Sequence, residues 1–186
     1  MPPHDILFGG SFDPIHRAHI AIATKARSQL GADRFFFLPT KENPLKPPLI
    51  ASPKDRLIML HLATRHLPWA TVLPDEIERT DQKPSYTIDT LEELLQKEII
   101  RPKPYLLIGS DILPQLPHWH RIDDLLSQVT LAVITRQEVS PSSPYPYQLI
   151  SIPHIDISST SIRETLSKED LHPDVWEYIN YAKLYQ

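Results

Sequence analysis

The sequence predicts an α/β fold built on a mostly parallel sheet with helices on both faces. Three observations predict it. Short apolar runs of strand length recur along the chain, stretches with helical periodicity lie between most of them, and the first run ends in a glycine pair just before a helical pattern. Alternation of this kind is typical of doubly wound, Rossmann-like sheets, which bind ligands at the carboxyl ends of their strands.

Six apolar runs predict the strands, at residues 6–8, 35–38, 70–73, 105–108, 131–134 and 149–152. Six amphipathic stretches predict the helices, at about 18–30, 53–66, 88–98, 122–127, 159–166 and 173–181. A loop rather than a helix separates the last two strands. In the third predicted helix, the apolar face consists of Ile88, Leu91 and Leu95.

Two proline-rich stretches, 39–53 and 140–146, are interpreted as long surface loops because patterned segments continue on both sides. Loops of this length are often functional. The first stretch carries Lys41 and Lys46 and is the one that we expect to contact a ligand.

Length and composition bound the class of protein. With 186 residues, the chain is expected to form one domain, 1–186, that ends in a helical tail at about 159–186. The formal net charge of −4 argues against a nucleic-acid partner. Without cysteine the chain has neither disulfides nor thiolate metal ligands. Neither a signal-peptide pattern nor a run of about 20 apolar residues is present, so we expect a cytoplasmic protein with no membrane partner.

The glycine pair is the most informative segment. Gly9 and Gly10 are two of only 4 glycines in a chain that has 20 prolines. Glycine at a strand–helix junction lets a phosphate approach the main-chain N–H groups. Two histidines, His16 and His19 (the histidine pair), follow at a spacing of one helical turn. They are either structural histidines, a zinc pair, or donors to a phosphate. Without cysteine or an H-E-x-x-H signature, the pattern favours the phosphate.

Two further segments carry polar groups at predicted strand or helix ends. Gly109-Ser110-Asp111 follows a strand, where Asp111 either binds ribose hydroxyls or caps a short helix that begins at Ile112. Residues 158–164 read as a helix start with a capping box between Ser161 and Glu164. Hydroxyls and N–H groups at a helix start also suit an anion, with Arg163 adding positive charge, and the two interpretations are compatible.

Residues 9–19, Gly-Gly-Ser-Phe-Asp-Pro-Ile-His-Arg-Ala-His, resemble the GxFDPxHxGH signature of the HIGH-superfamily nucleotidyltransferases. The resemblance is to their nicotinate-nucleotide adenylyltransferase branch, with Ser11 where threonine is common and Ala18 where glycine is usual. Five more segments resemble motifs of that branch in the same order. They are 37–46, 55–60, 76–91, 108–119 and 157–163, and the ending 175–185 is similar as well.

The resemblance implies the HIGH-superfamily nucleotidyltransferase fold and transfer of the adenylyl group of ATP to nicotinate mononucleotide. It implies four catalytic residues: His16, His19, Lys46 and Arg163. It assigns ATP to Gly9, Gly10, Ser11, Phe12, His16, His19, Gly109, Asp111, Ser158, Ser159, Thr160 and Arg163. It assigns nicotinate mononucleotide to Ser11, Lys46, Tyr86, Thr87 and Trp119. Mg²⁺ would enter with ATP and be held mainly by the substrate phosphates, without metal ligands from the protein.

Several points stay open at the level of sequence. Thr87 could simply cap the helix that begins at Ile88, and Arg56 could bind phosphate or form an ion pair. The acceptor could instead be nicotinamide mononucleotide or phosphopantetheine. A nucleotide-binding regulator without turnover and a metal-binding protein that uses the 9 histidines are the rival classes. A homo-oligomer is compatible with the sequence.

Overall fold

The computed structural model describes residues 4–41, 49–79, 85–135, 142–152 and 157–186. The strands are β1 (Asp5–Gly10), β2 (Arg34–Pro39), β3 (Ala70–Val72), β4 (Tyr105–Gly109), β5 (Thr130–Thr135) and β6 (Gln148–Ser151). The helices are α1 (Arg17–Leu30), α2 (Pro53–Thr64), α3 (Asp75–Glu78), α4 (Thr87–Gln96), α5 (Ile122–Gln128), α6 (Ser159–Thr165) and α7 (Pro173–Ala182). Two 3₁₀ helices, Ser110–His118 and Lys168–Asp170, complete the described elements.

The six strands form one sheet in the order β3-β2-β1-β4-β5-β6, and every pair of neighbours is parallel. This order is that of a doubly wound sheet whose direction of winding reverses between β1 and β4. The predicted α/β, Rossmann-like fold is therefore confirmed. Each predicted strand and each predicted helix has an observed counterpart, with ends that differ by a few residues.

Both faces of the sheet are buried, which explains why its strands read as nearly continuous apolar runs. Ile6, Phe8 and Phe35 point into a core that they share with residues of α1, α2, α6 and α7. Leu7 and Phe36 point to the opposite face, where they pack with α4, α5 and the longer 3₁₀ helix. Within the described ranges, no helix is both long and apolar enough to cross a lipid bilayer.

The pairing of β1 ends at different points on its two sides. On the β2 side it continues to Gly10, which lies opposite Pro39. On the β4 side the registered pairs among the described residues end at Phe8, opposite Leu107. The last two residues of β1 therefore have a paired strand on one side only. This divergence opens a crevice at the switch point, the position at which doubly wound sheets bind ligands.

Helix α4 corrects two predictions. It begins at Thr87, so that Tyr86 rather than Thr87 occupies the cap position, and the Tyr86 side chain makes no capping hydrogen bond. Its buried apolar residues are Ile88, Leu91 and Leu94, whereas Leu95 is only partly buried. The helix therefore packs by the i, i+3, i+6 row, and residue i+7 lies beside the buried face.

Among the described residues, the Arg56 guanidinium binds main-chain oxygens and forms no ion pair. Its side chain is fully buried in α2, and Nη1 donates to the main-chain oxygens of Ser11 (2.8 Å) and Thr40 (2.7 Å). Nη2 donates to the main-chain oxygen of Lys41 at 3.1 Å. The guanidinium thus joins the loop after β1 to the loop after β2. Burial lowers the pKa of Arg56 from its ordinary value, and the nearby Asp13 carboxylate counteracts that effect.

Candidate active site

A cavity of about 400 Å³ lies at the carboxyl ends of β1 and β4 and is called here the switch-point cavity. It brings together seven of the residues predicted to bind substrates: Gly9, Gly10, Ser11, Tyr86, Thr87, Gly109 and Trp119. They come from segments up to about 110 positions apart in the chain, which the sheet topology gathers at one edge. Lys46 lies outside the described residues.

Gly10 is required by the chain's own packing. A Cβ at Gly10 would lie 2.9 Å from the Phe12 ring, whereas a Cβ at Gly9 would have only the main-chain oxygen of Leu38 within 4 Å, at 3.9 Å. Phe12 adopts a left-handed φ of 48° and is 1% exposed, with its ring among Phe8, Phe37 and His19. A left-handed backbone at a bulky residue is strained and persists only where packing holds it. Because its ring is buried, Phe12 can offer a ligand only its main chain.

The histidine pair lies at the start of α1. The ring centroids of His16 and His19 are 3.7 Å apart, and the main-chain N–H of His16 donates to His19 Nδ1 at 3.2 Å. A ring nitrogen that accepts an N–H bond carries no proton, so the proton of a neutral His19 ring lies on Nε2. His19 therefore presents Nε2 as a hydrogen-bond donor.

The His16 side chain is almost fully buried. It is 5% exposed, and its ring lines a second, smaller cavity of about 320 Å³ together with His66 and His172. His66 and His172 stack at a centroid distance of 5.0 Å. The sequence pattern placed both members of the histidine pair correctly at the strand–helix junction, but it could not show that His16 is buried.

The loop between β1 and α1 is held by α6. Arg163 Nη1 donates to the main-chain oxygen of Asp13 at 2.6 Å, and Ser159 Oγ donates to that of Pro14 at 3.0 Å. Arg163 Nη2 also donates to Thr160 Oγ1 at 3.1 Å. The start of α6, to which the resemblance assigns phosphate binding, thus contacts the loop that precedes the histidine pair.

The predicted capping box of α6 is displaced by one turn. It joins Ser158 and Ser161 rather than Ser161 and Glu164: the Ser161 N–H donates to Ser158 Oγ at 3.1 Å, and the Ser158 N–H donates to Ser161 Oγ at 3.2 Å. The hydroxyl oxygen of serine can accept the N–H bond that a glutamate carboxylate accepts in the usual box, so a run of serines and threonine leaves the start of the helix ambiguous in the sequence.

Gly109 and Asp111 flank the start of the longer 3₁₀ helix, which begins at Ser110 with Gly109 at the cap position, rather than at Ile112 with Asp111 as its cap. Asp111 is exposed, and its carboxylate Oδ1 would collide with a Cβ placed on Gly109. Glycine thus leaves room for the Asp111 carboxylate to lie over the main chain at the end of β4, whereas a larger residue would require this exposed side chain to move.

A pair of aromatic rings lies at the edge of the switch-point cavity. Tyr86 and His120 stack with centroids 4.2 Å apart and planes 27° apart. Arg121, which has a left-handed φ of 50°, donates to both carboxylate oxygens of Glu92 in α4, at 3.0 and 2.8 Å. This bidentate bond holds the segment of Trp119 and His120 against α4. The sequence did not predict the stacking of His120 on Tyr86, since a histidine beside a tryptophan carries no signal of its own.

Glu76 is a buried acid that lines the same cavity. It is 4% exposed and accepts a hydrogen bond from Thr90 Oγ1 at 3.2 Å. Burial raises the pKa of its carboxyl above the ordinary value, against smaller opposing effects of hydrogen bonds and of Arg79. In the sequence, Glu76 stood out only as part of a resemblance, because its burial depends on packing that no periodicity shows.

Replacing Glu76 with glutamine should change how stability depends on pH. A carboxyl whose pKa is raised on folding binds more protons in the folded state, so the free energy of unfolding falls as pH rises above about 4.5, the region in which an unfolded glutamate ionises. Glu76→Gln removes this fall and leaves an oxygen for Thr90. Urea unfolding at several pH values between 4 and 8 measures it. Glu92→Gln is the control, since Arg121 lowers the pKa of Glu92. Parallel profiles for the wild type and Glu76→Gln would contradict the prediction.

Comparison with known proteins agrees with this geometry. Residues 7–165 match the family described as cytidylyltransferase-like. A protein of Bacillus pumilus named probable nicotinate-nucleotide adenylyltransferase is 36% identical over 97% of this chain and 97% of its own length. One of the same name from Enterococcus faecalis is 37% identical over 97% of this chain and 84% of its own length.

The fold is also that of a solved enzyme. The structure of Plasmodium falciparum nicotinic acid mononucleotide adenylyltransferase complexed with NaAD superposes with a TM-score of 0.72. The match covers 98% of this chain and 97% of that one at 23% sequence identity, so it concerns the fold. The match to the family and the identity to its curated members over nearly the whole chain confirm what the motifs predicted: this chain is a nucleotidyltransferase of the nicotinate-nucleotide adenylyltransferase family.

Proposed function

We propose that this protein transfers the adenylyl group of ATP to nicotinate mononucleotide, giving nicotinate adenine dinucleotide and pyrophosphate, a step of NAD biosynthesis. The observation that carries the proposal is the switch-point cavity, where the glycine pair at the end of β1, the start of α4 and Trp119 meet. The histidine pair follows on the same segment, at the start of α1. Relatives that are 35–37% identical carry the name of this activity.

Tyr86, Thr87 and Trp119 form the pyridine end of the proposed site. The first turn of α4 has main-chain N–H groups without intrahelical partners, and the positive end of the helix dipole lies there. Since the Tyr86 side chain makes no capping bond, a ligand carboxylate can take those N–H groups. Trp119 offers a ring face for the pyridine. This arrangement favours the acid form of the mononucleotide over the amide.

The chemistry needs no general base. The 5′-phosphate of the acceptor has a second pKa near 6, so it is mostly dianionic at neutral pH and can attack the α-phosphorus in line. We assign donation to the oxygens of the α-phosphate, on which charge develops, to the Gly10–Ser11 main chain, which lines the cavity, and to His19 Nε2. His16 contributes through the orientation of its neighbour, because its own ring is 5% exposed.

We assign the β- and γ-phosphates of ATP to the start of α6, with Ser158, Ser159, Thr160 and Arg163, and the adenosine to Gly109 and Asp111. Two of the five N–H donors of Arg163 are accounted for by Asp13 and Thr160, which leaves others for a phosphate. Lys46 is assigned to the phosphates from its motif alone.

Mg²⁺ fits this site as a companion of ATP. Among the described residues, no cluster of three or more acidic or histidine side chains is arranged to hold a metal ion. Mg²⁺ prefers oxygen ligands and is commonly held by phosphates. We therefore propose that substrate phosphates hold most of its coordination sphere, where it neutralises the charge of the triphosphate.

The test is release of pyrophosphate with ATP and Mg²⁺, with nicotinate mononucleotide, nicotinamide mononucleotide and phosphopantetheine compared as acceptors. We expect kcat/KM for the nicotinate form to exceed that for the amide by at least about tenfold, because only the acid presents a carboxylate to α4. Equal use of both forms would overturn the carboxylate pocket while leaving adenylyl transfer in place. Absence of turnover with any acceptor, in protein that binds ATP, would favour the nucleotide-binding regulator.

A further inference from the structure

The chain beyond α7 turns back onto the loop that precedes the histidine pair. Lys183 and Tyr185 both adopt a left-handed backbone, with φ of 53° and 61°, and these two turns direct the last residues inward. The hydroxyl of Tyr185 donates to Asp13 Oδ1 at 2.7 Å. The two residues are 172 positions apart, so the contact closes almost the whole chain on itself.

Asp13 is the centre of a small network. It is 3% exposed, and its two carboxylate oxygens accept the main-chain N–H of Ala51 (Oδ1, 3.0 Å) and that of Ile50 (Oδ2, 2.8 Å). With the Tyr185 hydroxyl, this carboxylate receives three donors from two separate segments. Its main-chain oxygen receives a fourth, from Arg163. Asp13 therefore joins the end of the proline-rich stretch, α6 and the C-terminal segment at a point three residues before His16.

On the basis of the function proposed above, we propose that Tyr185 is a positioning residue for adenylyl transfer, whose hydroxyl acts through Asp13 to hold the loop of Ser11 and the histidine pair in its reactive geometry. The proposal goes beyond the substrate-binding residues, because Tyr185 lines neither of the two cavities described above.

The hydrogen bond between Tyr185 and Asp13 joins a hydroxyl to a carboxylate. A hydroxyl that donates to a carboxylate makes a charge-assisted bond, and removing one donor leaves a buried charge less compensated. Without the Tyr185 hydroxyl, Asp13 keeps its two main-chain donors, so we expect the fold to survive. Both of those donors belong to one segment, residues 50 and 51, and no longer hold the carboxylate from the C-terminal segment. Burial and the Asp13 carboxylate raise the pKa of Tyr185, so the hydroxyl remains a donor throughout the working pH range.

The position of the loop decides the rate more than it decides binding. A displacement of about 1 Å in a group that acts on the transition state can cost on the order of a hundredfold in rate. The loop already carries strain at Phe12, whose φ is 48°. The geometry of the loop therefore depends on contacts with other segments. Among these contacts, the Tyr185–Asp13 bond comes from the C-terminal segment.

The chain offers a matched control in Tyr178. Its hydroxyl donates to Asp55 Oδ1, also at 2.7 Å, so that Tyr178→Phe and Tyr185→Phe each delete one hydroxyl bonded to an aspartate. Asp55 belongs to the first turn of α2, where it also receives the Ser52 hydroxyl. The two variants differ in whether the aspartate belongs to the loop of the histidine pair.

The experiment compares wild type, Tyr185→Phe and Tyr178→Phe by steady-state kinetics with ATP, Mg²⁺ and nicotinate mononucleotide, together with thermal unfolding. We expect Tyr185→Phe to lower kcat at least about tenfold, with each KM within about threefold of wild type and a Tm close to that of Tyr178→Phe. Tyr178→Phe should keep kcat within about twofold. Equal kcat losses in both variants, or none in Tyr185→Phe, would overturn the inference.

A second measurement keeps the assignment to Asp13 falsifiable. If Tyr185 acts through Asp13, the effects of Tyr185→Phe and Asp13→Ala on kcat are not additive, because alanine leaves no acceptor for the hydroxyl, and the double variant is no slower than Asp13→Ala alone. Additive losses would show that Tyr185 acts by another route and would overturn the proposal. A wild type that turns over no acceptor would remove the proposed function and this inference together, whereas an active wild type matched by Tyr185→Phe would remove the inference alone.

Discussion

His19→Ala is expected to lower kcat for adenylyl transfer by about two orders of magnitude or more while the protein stays folded. The reason is that His19 Nδ1 accepts the main-chain N–H of His16, so that Nε2 is the ring nitrogen to which we assign donation to the α-phosphate. Loss of one well-placed donor to developing charge costs on the order of 10²–10³ in kcat. KM for ATP should change less, because the donor contributes most in the transition state.

Steady-state kinetics and thermal unfolding measured on the same preparations test this prediction. His61→Ala is the matched control, since His61 is an exposed histidine in the last turn of α2. We expect that control to keep wild-type kcat. A folded His19→Ala protein with kcat near the wild-type value would remove His19 from the mechanism.

Arg56→Ala should lower the free energy of unfolding by about 3–5 kcal/mol, the range seen when one member of a buried, charged hydrogen-bond network is removed. Arg56 is fully buried, and its guanidinium serves three main-chain oxygens, those of Ser11, Thr40 and Lys41. The variant leaves these acceptors without their donor and leaves a cavity of arginine size. Lysine at this position supplies a single point charge and cannot serve three separated oxygens from one fork.

Urea unfolding gives the free energy, and the Tm should fall by roughly 6–20 °C for a domain of this size. Arg65→Ala is the control, because Arg65 is exposed and makes a surface ion pair with Asp174 at 2.6 Å. Such pairs contribute about 0–1 kcal/mol. If the two variants unfold alike, the Arg56 contacts do not stabilise the fold as described.

The regular elements followed from the sequence because each buries a complete face. Helix α2 was predicted at 53–66 and lies at Pro53–Thr64, since Ser52 caps it and proline occupies its first position. The longer 3₁₀ helix was expected only as one alternative, a short helix beginning at Ile112, because Pro114 and Pro117 argue against an α-helix over these residues. The burial of Arg56 was missed as well, since its acceptors come from loops distant in sequence.

The candidate site, too, could be predicted from the sequence only in part. Motif resemblance located Gly10, Tyr86 and Trp119, and the fold brings them to one cavity. The Asp13–Tyr185 bond could not be found from the sequence, because it depends on how the final residues turn after α7. Lys46 stays a prediction, since it lies outside the described residues. Local patterns thus identify the groups that bind, whereas the contacts that hold those groups arise from tertiary packing.

The early end of the β1–β4 pairing has a consequence for the stability of the ligand-bound protein. β1, β2 and β3 form one half of the sheet, and β4, β5 and β6 form the other, with three registered residue pairs across the seam between β1 and β4. The switch-point cavity takes its walls from both halves. A nucleotide bound there, as proposed, contacts both halves of the sheet and binds only the folded protein. At a concentration 100 times its Kd, it adds about 2.7 kcal/mol to the free energy of unfolding.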